Sequence, residues 1–157
     1  PYTLANVFML AWPYGYPKVM SSYVFEERNA GPPAVEPVAP GASNCNNGWV
    51  CEHRRPAIAN MVAFRAATEG APATRWQRHG DAAISFGRGD KGHVVINAGD
   101  LPIDVVVETG LPPGKYCNVV LSGSSAECAD ARIVVSDEGR FQAQLDPMTS
   151  LAILRPL

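Results

Sequence analysis

From Ala71 to its end the sequence is cut into short pieces, and this limits the fold more than any other feature. Runs of β-forming residues at 83–86, 93–97, 103–108, 116–121, 132–136, 140–145 and 151–154 alternate with turn residues. Pro113-Gly114 supplies the two central residues of a type II turn. The chain carries 14 Gly and 14 Pro, enough to punctuate every one of these runs. Seven short strands at this spacing predict an antiparallel β-sandwich of the Greek-key kind.

The first 70 residues read differently. Leu4, Val7, Phe8 and Ala11 fall at i, i+3, i+4 and i+7, one apolar face of a helix over residues 2–11. Pro13 ends that helix and biases Trp12 toward extended backbone. Gly15 supplies a turn, and residues 16–20 read as a short strand with Lys18 at its centre. Residues 26–44 are a Pro-, Gly- and Ala-rich loop. A second helix is expected from near His53 or Arg54 to about Ala67, burying Ile58, Met61, Val62 and Phe64. Pro56 is tolerated only in its first turn.

A helix–strand–helix piece leaves its strand without a sheet. Its apolar residues then lack partners, so Leu4, Val7, Phe8, Ile58, Met61 and Val62 are expected to form an exposed apolar patch if the chain stands alone. The piece is therefore read as the end of a larger α/β domain of the (β/α)8 barrel type. The opening at Pro1, close to the first helix, is read as an internal start. The expected organisation is α/β followed by all-β, divided as residues 1–70 and 71–157.

Lys18 sits where a buried strand would place it inside the protein. Lysine is almost never fully buried without a partner, and an unpaired buried charge is very costly. Either this segment is exposed, or an anion or carboxylate faces Lys18.

Composition removes several classes of function. Hydrophobic residues make up 46% and charged residues 18%, a globular balance. A net charge of −2 with no basic stripe gives no reason to expect a nucleic-acid partner. The longest early apolar run, residues 7–12, is far too short for a membrane span. The cysteines form two local pairs, Cys45 with Cys51 and Cys117 with Cys128. No Cys-x-x-Cys occurs, and His53, His79 and His93 complete no zinc pattern. Two disulfides in an oxidising compartment is the preferred reading, with free buried thiols as the alternative. Trp12, Trp49 and Trp76 are read as packing groups, with sugar stacking as the other use of such side chains. Arg88-Gly89-Asp90 spells an adhesion tripeptide inside a Gly-rich turn, read as coincidence.

Four stretches carry a family resemblance. Pro13-Tyr14-Gly15, followed by Lys18-Val19-Met20-Ser21-Ser22-Tyr23, resembles the eighth barrel strand of the animal and actinobacterial α-amylases. Gly48-Trp49-Val50-Cys51-Glu52-His53-Arg54, with Asn60-Met61-Val62 and Phe64-Arg65, resembles their last barrel helix. Phe86-Gly87-Arg88-Gly89-Asp90-Lys91-Gly92 and Thr109-Gly110-Leu111-Pro112-Pro113-Gly114-Lys115-Tyr116-Cys117 resemble their C-terminal β-sandwich. Arg55 and Pro56 depart from the pattern, since Trp and Arg usually follow the Cys-Glu-His-Arg run.

The resemblance implies the C-terminal portion of a secreted, extracellular glycoside hydrolase that cleaves internal α-1,4-glucosidic bonds in starch and glycogen with retention. Such enzymes use a carboxylate nucleophile and a nearby carboxylic acid. In the family these groups and the calcium ligands lie in earlier segments, so no catalytic residue and no metal ligand is expected here, and activity requires the rest of the barrel. Glu26, Glu27, Glu36 and Glu52 match no catalytic motif. In chloride-activated members a basic residue on the eighth strand, matching Lys18, binds chloride beside the catalytic acid. A buried anion there raises that acid's pKa and keeps it able to donate its proton. The alternative reading is a non-catalytic carbohydrate-binding or interaction module derived from an amylase.

Overall fold

A computed structural model describes residues 1–38, 45, 47–123, 128 and 132–156. The end of the predicted 26–44 loop, residues 39–44, lies outside the described residues. The chain forms two compact units, residues 1–17 with 56–157, and residues 18–55.

The larger unit begins with helix α1, Tyr2–Ala11, where the sequence places it. Trp12 leaves helical geometry (φ −77°, ψ 133°) just before Pro13, and its N–H still closes the last turn on the Phe8 carbonyl. Helix α2 is Pro56–Ala67, with Pro56 as its first residue, where a missing N–H costs nothing.

Eight strands follow. β1 (Ala73–His79), β2 (Ala83–Arg88), β3 (Gly92–Asn97) and β8 (Thr149–Leu154) form one sheet in the order β1-β2-β3-β8. β4 (Ile103–Glu108) pairs with β7 (Arg140–Leu145), and β5 (Gly114–Cys117) with β6 (Arg132–Val135). Every pairing is antiparallel.

Register separates the two faces of the four-stranded sheet. Val95 pairs with Leu151 and His93 with Ile153, and these side chains face the two ribbons. There Val95, Leu151 and Ile153 join Val107, Phe141, Ala143, Leu145, Tyr116, Ile133 and Val135 in one core. On the other face lie Phe86, Val94 and Ala152, paired in one row. Helices pack there: Phe8 of α1 meets Phe86 edge to face at 5.9 Å. Gly92 allows the closest approach, since a Cβ on it would lie 2.8 Å from the Phe64 ring of α2. Every residue of β3 is buried, so its sequence reads as a continuous apolar run without alternation.

This packing overturns the exposed apolar patch expected on the two helices. Leu4 is 7% exposed and Val7, Ile58 and Met61 are 0% exposed, while Phe8 is half-buried. Only Val62 lies open, because Ile58, Met61 and Phe64 already define the inward stripe of α2. The helices have a partner within the chain: the sheet face opposite the ribbons.

Three further expectations change. Residues 16–20 form no strand, since no described segment runs beside them to complete a ladder. The predicted 116–121 strand splits into β5 and a short helix, α3 (Val119–Ser122). Asn118 causes the break: its side-chain oxygen accepts from the Val120 N–H at 3.1 Å, an N-cap that redirects an apolar run into a helical turn. β1 went unpredicted because it is polar, lies at a sheet edge, and slips register between Thr74 and Gln77, with Arg75 at φ +49°.

In the smaller unit a 3₁₀ turn at Glu52–Arg54 occupies the predicted start of the second helix. Residues 21–24 run antiparallel to 48–52. Tyr23 and Trp49 form an isolated bridge, with bonds from Val24 N to Gly48 O at 2.7 Å and from Val50 N to Ser22 O at 2.8 Å.

Candidate functional site

Lys18 lies in the smaller unit and is exposed. No carboxylate stands within ion-pair distance of it among the described residues. The buried-strand environment that makes a lysine remarkable in sequence is thus not formed by residues 18–55 themselves.

The polar chemistry of this unit centres on Glu52. Its carboxylate is buried and accepts from Ser22 twice, from the backbone N–H at 2.8 Å and from the hydroxyl. Burial alone would raise the Glu52 pKa. The Ser22 bonds, aided by the Arg55 charge, outweigh it and hold the carboxyl below its ordinary value. Ser21 Oγ meanwhile accepts from the Cys51 N–H at 2.8 Å. The Cys45–Cys51 disulfide closes the loop, with Cα atoms 5.9 Å apart. Trp49 packs edge to face on Tyr23 and donates Nε1–H to the Val35 carbonyl at 2.9 Å. Glu52 is thus an anionic brace between two segments, with both oxygens engaged. Glu26, Glu27 and Glu36 are exposed, and His53 is exposed on the 3₁₀ turn.

In the larger unit the most heavily engaged polar group is Arg88. Its guanidinium is 3% exposed and binds no carboxylate. It donates to three carbonyls: Ala11 at 2.6 Å, Thr68 at 2.9 Å and Ala71 at 3.0 Å. Ala11 ends α1, and Thr68 follows α2, so one cation satisfies orphan carbonyls at both helix C-termini. Arg65 of α2 reinforces this, reaching the Trp12 carbonyl at 2.8 Å and the Gly15 carbonyl at 2.6 Å. Burial, and then the Arg65 charge, lower the Arg88 pKa, yet a guanidinium stays charged. An Arg so enclosed cannot serve as the ligand of an adhesion tripeptide.

The tryptophans pack. Trp76 stacks on Phe86 with centroids 5.8 Å apart, and Trp12 meets both edge to face at 5.6 and 5.2 Å. The Cys117–Cys128 disulfide, with Cα atoms 5.7 Å apart, ties the end of β5 to residue 128.

An open groove of about 680 Å³ runs between α1 and the β2–β3 edge, lined by Leu4, Phe8, Ile84, Ile96 and Met148. Asp81 is the only acidic or basic side chain on its wall, so it offers no converging pair for acid–base work. No group of three or more His, Cys, Asp or Glu is placed to hold a metal ion among the described residues. No described helix is long and apolar enough to cross a membrane. Sequence reasoning singled out Lys18 and passed over Arg88 and Arg65. The signal for those two was present: each ends an apolar stretch without a nearby acidic partner.

The architecture defines an antiparallel all-β domain with two helices on one sheet face. A family model described as "Alpha amylase, C-terminal all-beta domain" matches residues 75–155, and the chain belongs to this family. The α-amylase of Pecten maximus is 40% identical over 98% of this chain and 33% of its own length. Human pancreatic α-amylase is 40% identical over 88% of this chain and 30% of its own. The α-amylase of Streptomyces violaceus is 40% identical over 97% of this chain and 25% of its own. The crystal structure of wild-type α-amylase I from Eisenia fetida superposes with a TM-score of 0.80 at 34% identity, covering 99% of this chain and 35% of that one. The chain thus spans a quarter to a third of the length of these curated relatives.

Proposed function

We propose that this chain is the C-terminal part of an α-amylase that endo-hydrolyses α-1,4-glucosidic bonds in starch and glycogen with retention of configuration. The observation that carries this reading is the 40% identity to α-amylases along 97–98% of the chain, which is only 25–33% of their length. A mutant of the Eisenia fetida enzyme, solved as a maltohexaose complex, superposes on this chain with a TM-score of 0.78. An α-glucan is accordingly the proposed substrate.

In this reading residues 1–70 close a (β/α)8 barrel and residues 71–157 are the appended Greek-key sandwich. The nucleophile, the acid and the calcium ligands belong to the barrel outside this sequence, and the chain by itself is inactive. Secretion to the extracellular space fits the two disulfides. The test is glucan hydrolysis by the complete protein that contains this chain, followed by proton NMR of the first product. The α-anomer is expected; the β-anomer, or no cleavage, contradicts the reading.

Lys18 is proposed to bind chloride in the complete enzyme. Its match to the basic position of the eighth-strand motif supports this, as does its lack of a carboxylate partner among the described residues. A single ammonium gives fewer directed contacts than a guanidinium, so the binding is expected to be weak. Chloride removal is expected to slow hydrolysis and lower the pH at which the acid limb falls. An unchanged rate and pH profile contradicts the assignment.

A further inference from the structure

The sheet face that meets the ribbons is not apolar throughout. Register sets Thr74, Gly87 and His93 side by side across β1, β2 and β3. His93 is 0% exposed, and its ring stands edge-on to Phe141 at 5.9 Å. Neither ring nitrogen of His93, nor Thr74 Oγ1, has a hydrogen-bond partner among the described residues, although all three atoms are shielded from solvent. The neighbouring pair on the same face is satisfied: His79 Nε2 lies 2.9 Å from Ser85 Oγ. The deficit is therefore local.

Gly87 explains where it falls. A Cβ on Gly87 would lie 2.8 Å from Thr74 Oγ1, 3.3 Å from His93 Nδ1 and 3.6 Å from the Gly89 carbonyl oxygen. Three polar atoms converge on the space that this glycine leaves open. A buried polar group left unpaired costs on the order of 1–3 kcal/mol, and folded proteins pair more than about 90% of them. Arg75 and His79 are the titratable groups that act on His93, and both repel a cation. A metal ion is thereby disfavoured, and the space between the three atoms suits a small neutral molecule.

We propose that Thr74, Gly87 and His93 form an internal hydration site holding one ordered water. The water accepts from the Thr74 hydroxyl and donates to His93 Nδ1 and to the Gly89 carbonyl, which fixes the neutral imidazole with its proton on Nε2. Three partners lie within the 2–4 that a buried water typically has. Gly87 is the specificity element, because any side chain there fills the site.

High-resolution crystallography of the full chain at neutral pH tests this. The expected result is a density peak within about 2.6–3.3 Å of both Thr74 Oγ1 and His93 Nδ1. No peak, or a direct Thr74 Oγ1 to His93 Nδ1 hydrogen bond, overturns the proposal. Gly87→Ala is expected to abolish the peak and lower the unfolding temperature. Should Gly87→Ala not fold, Thr74→Val and Thr74→Ser replace it: the peak is expected to vanish in the first and persist in the second. A peak that survives Thr74→Val overturns the assignment.

Discussion

Arg88 Nη1, on strand β2, donates to the carbonyl of Ala11, the last residue of helix α1, at 2.6 Å. The same guanidinium holds Thr68 and Ala71 beyond α2, so one side chain from the sheet fixes both helix ends. Arg88→Met should leave three carbonyls without this partner. Charge-assisted bonds contribute about 1.5–3 kcal/mol each, so a loss of roughly 3 kcal/mol or more is expected in urea unfolding of the 157-residue chain. Arg88→Lys should recover only part of it, because an ammonium cannot span three carbonyls in one plane. A loss under about 0.5 kcal/mol for Arg88→Met, the range of an ordinary surface change, would remove the clamp from the account.

His93 should make the larger unit acid-sensitive. Burial, then the charges of Arg75 and His79, push its pKa from 6.5 down to about 3. The folded state thus resists a proton that the unfolded chain accepts below pH 6.5. Stability is unaffected above that value and falls progressively as the pH drops from 6.5 toward 3. By linkage the loss at pH 5 is about 2 kcal/mol. His79 acts in the same direction, and Asp104 loses its own contribution at lower pH as its carboxylate protonates away from Gln142 and Gln144. The difference between wild type and His93→Phe isolates the imidazole. The variant's stability should fall less steeply between pH 6.5 and 4; parallel curves would show that His93 does not titrate with unfolding.

Gly92 should resist even the smallest side chain. A Cβ would lie 2.8 and 3.0 Å from two atoms of the Phe64 ring and 3.1 Å from the Ile153 carbonyl oxygen. Gly92→Ala is expected to destabilise the chain by about 1–3 kcal/mol, the usual cost of overpacking a dense core. The double variant with Phe64→Leu should recover part of that cost. Additive losses would show that the two positions do not touch.

Much of the secondary structure was legible because it is local. Helix α1 shows its apolar stripe and its Pro13 stop, and β4 and β7 show strict alternation between turns. The tertiary role of the helices was not legible. A buried helical face announces that it needs a partner, not which partner, and Phe86, Val94 and Ala152 are indistinguishable in sequence from residues of a sandwich core. Residues 16–20 have strand-forming composition, but a strand also requires a neighbour, which no pattern within those residues supplies. Lys18 could be singled out because a lysine among apolar residues is conspicuous. Arg88 and Glu52 escaped notice because their partners, distant carbonyls and a serine 30 positions away, leave no periodic trace.

Cys117–Cys128 closes a loop with a sequence separation of 11. A cross-link of that length is worth about 3 kcal/mol by loss of unfolded-state entropy. Cys117→Ser with Cys128→Ser should lower the unfolding temperature of the chain by several degrees while leaving the far-ultraviolet circular dichroism unchanged. An unchanged unfolding temperature would remove the disulfide as a stabilising element.

The most direct test of the central claim is a starch zymogram of the natural source, with the clearing band identified by peptides of this sequence. The relatives are three to four times longer than the segment they share with this chain, so the starch-clearing band should migrate at about three- to fourfold the chain's 16.8 kDa. Starch clearing by a species of 16.8 kDa would contradict the placement of the catalytic carboxylates outside these residues.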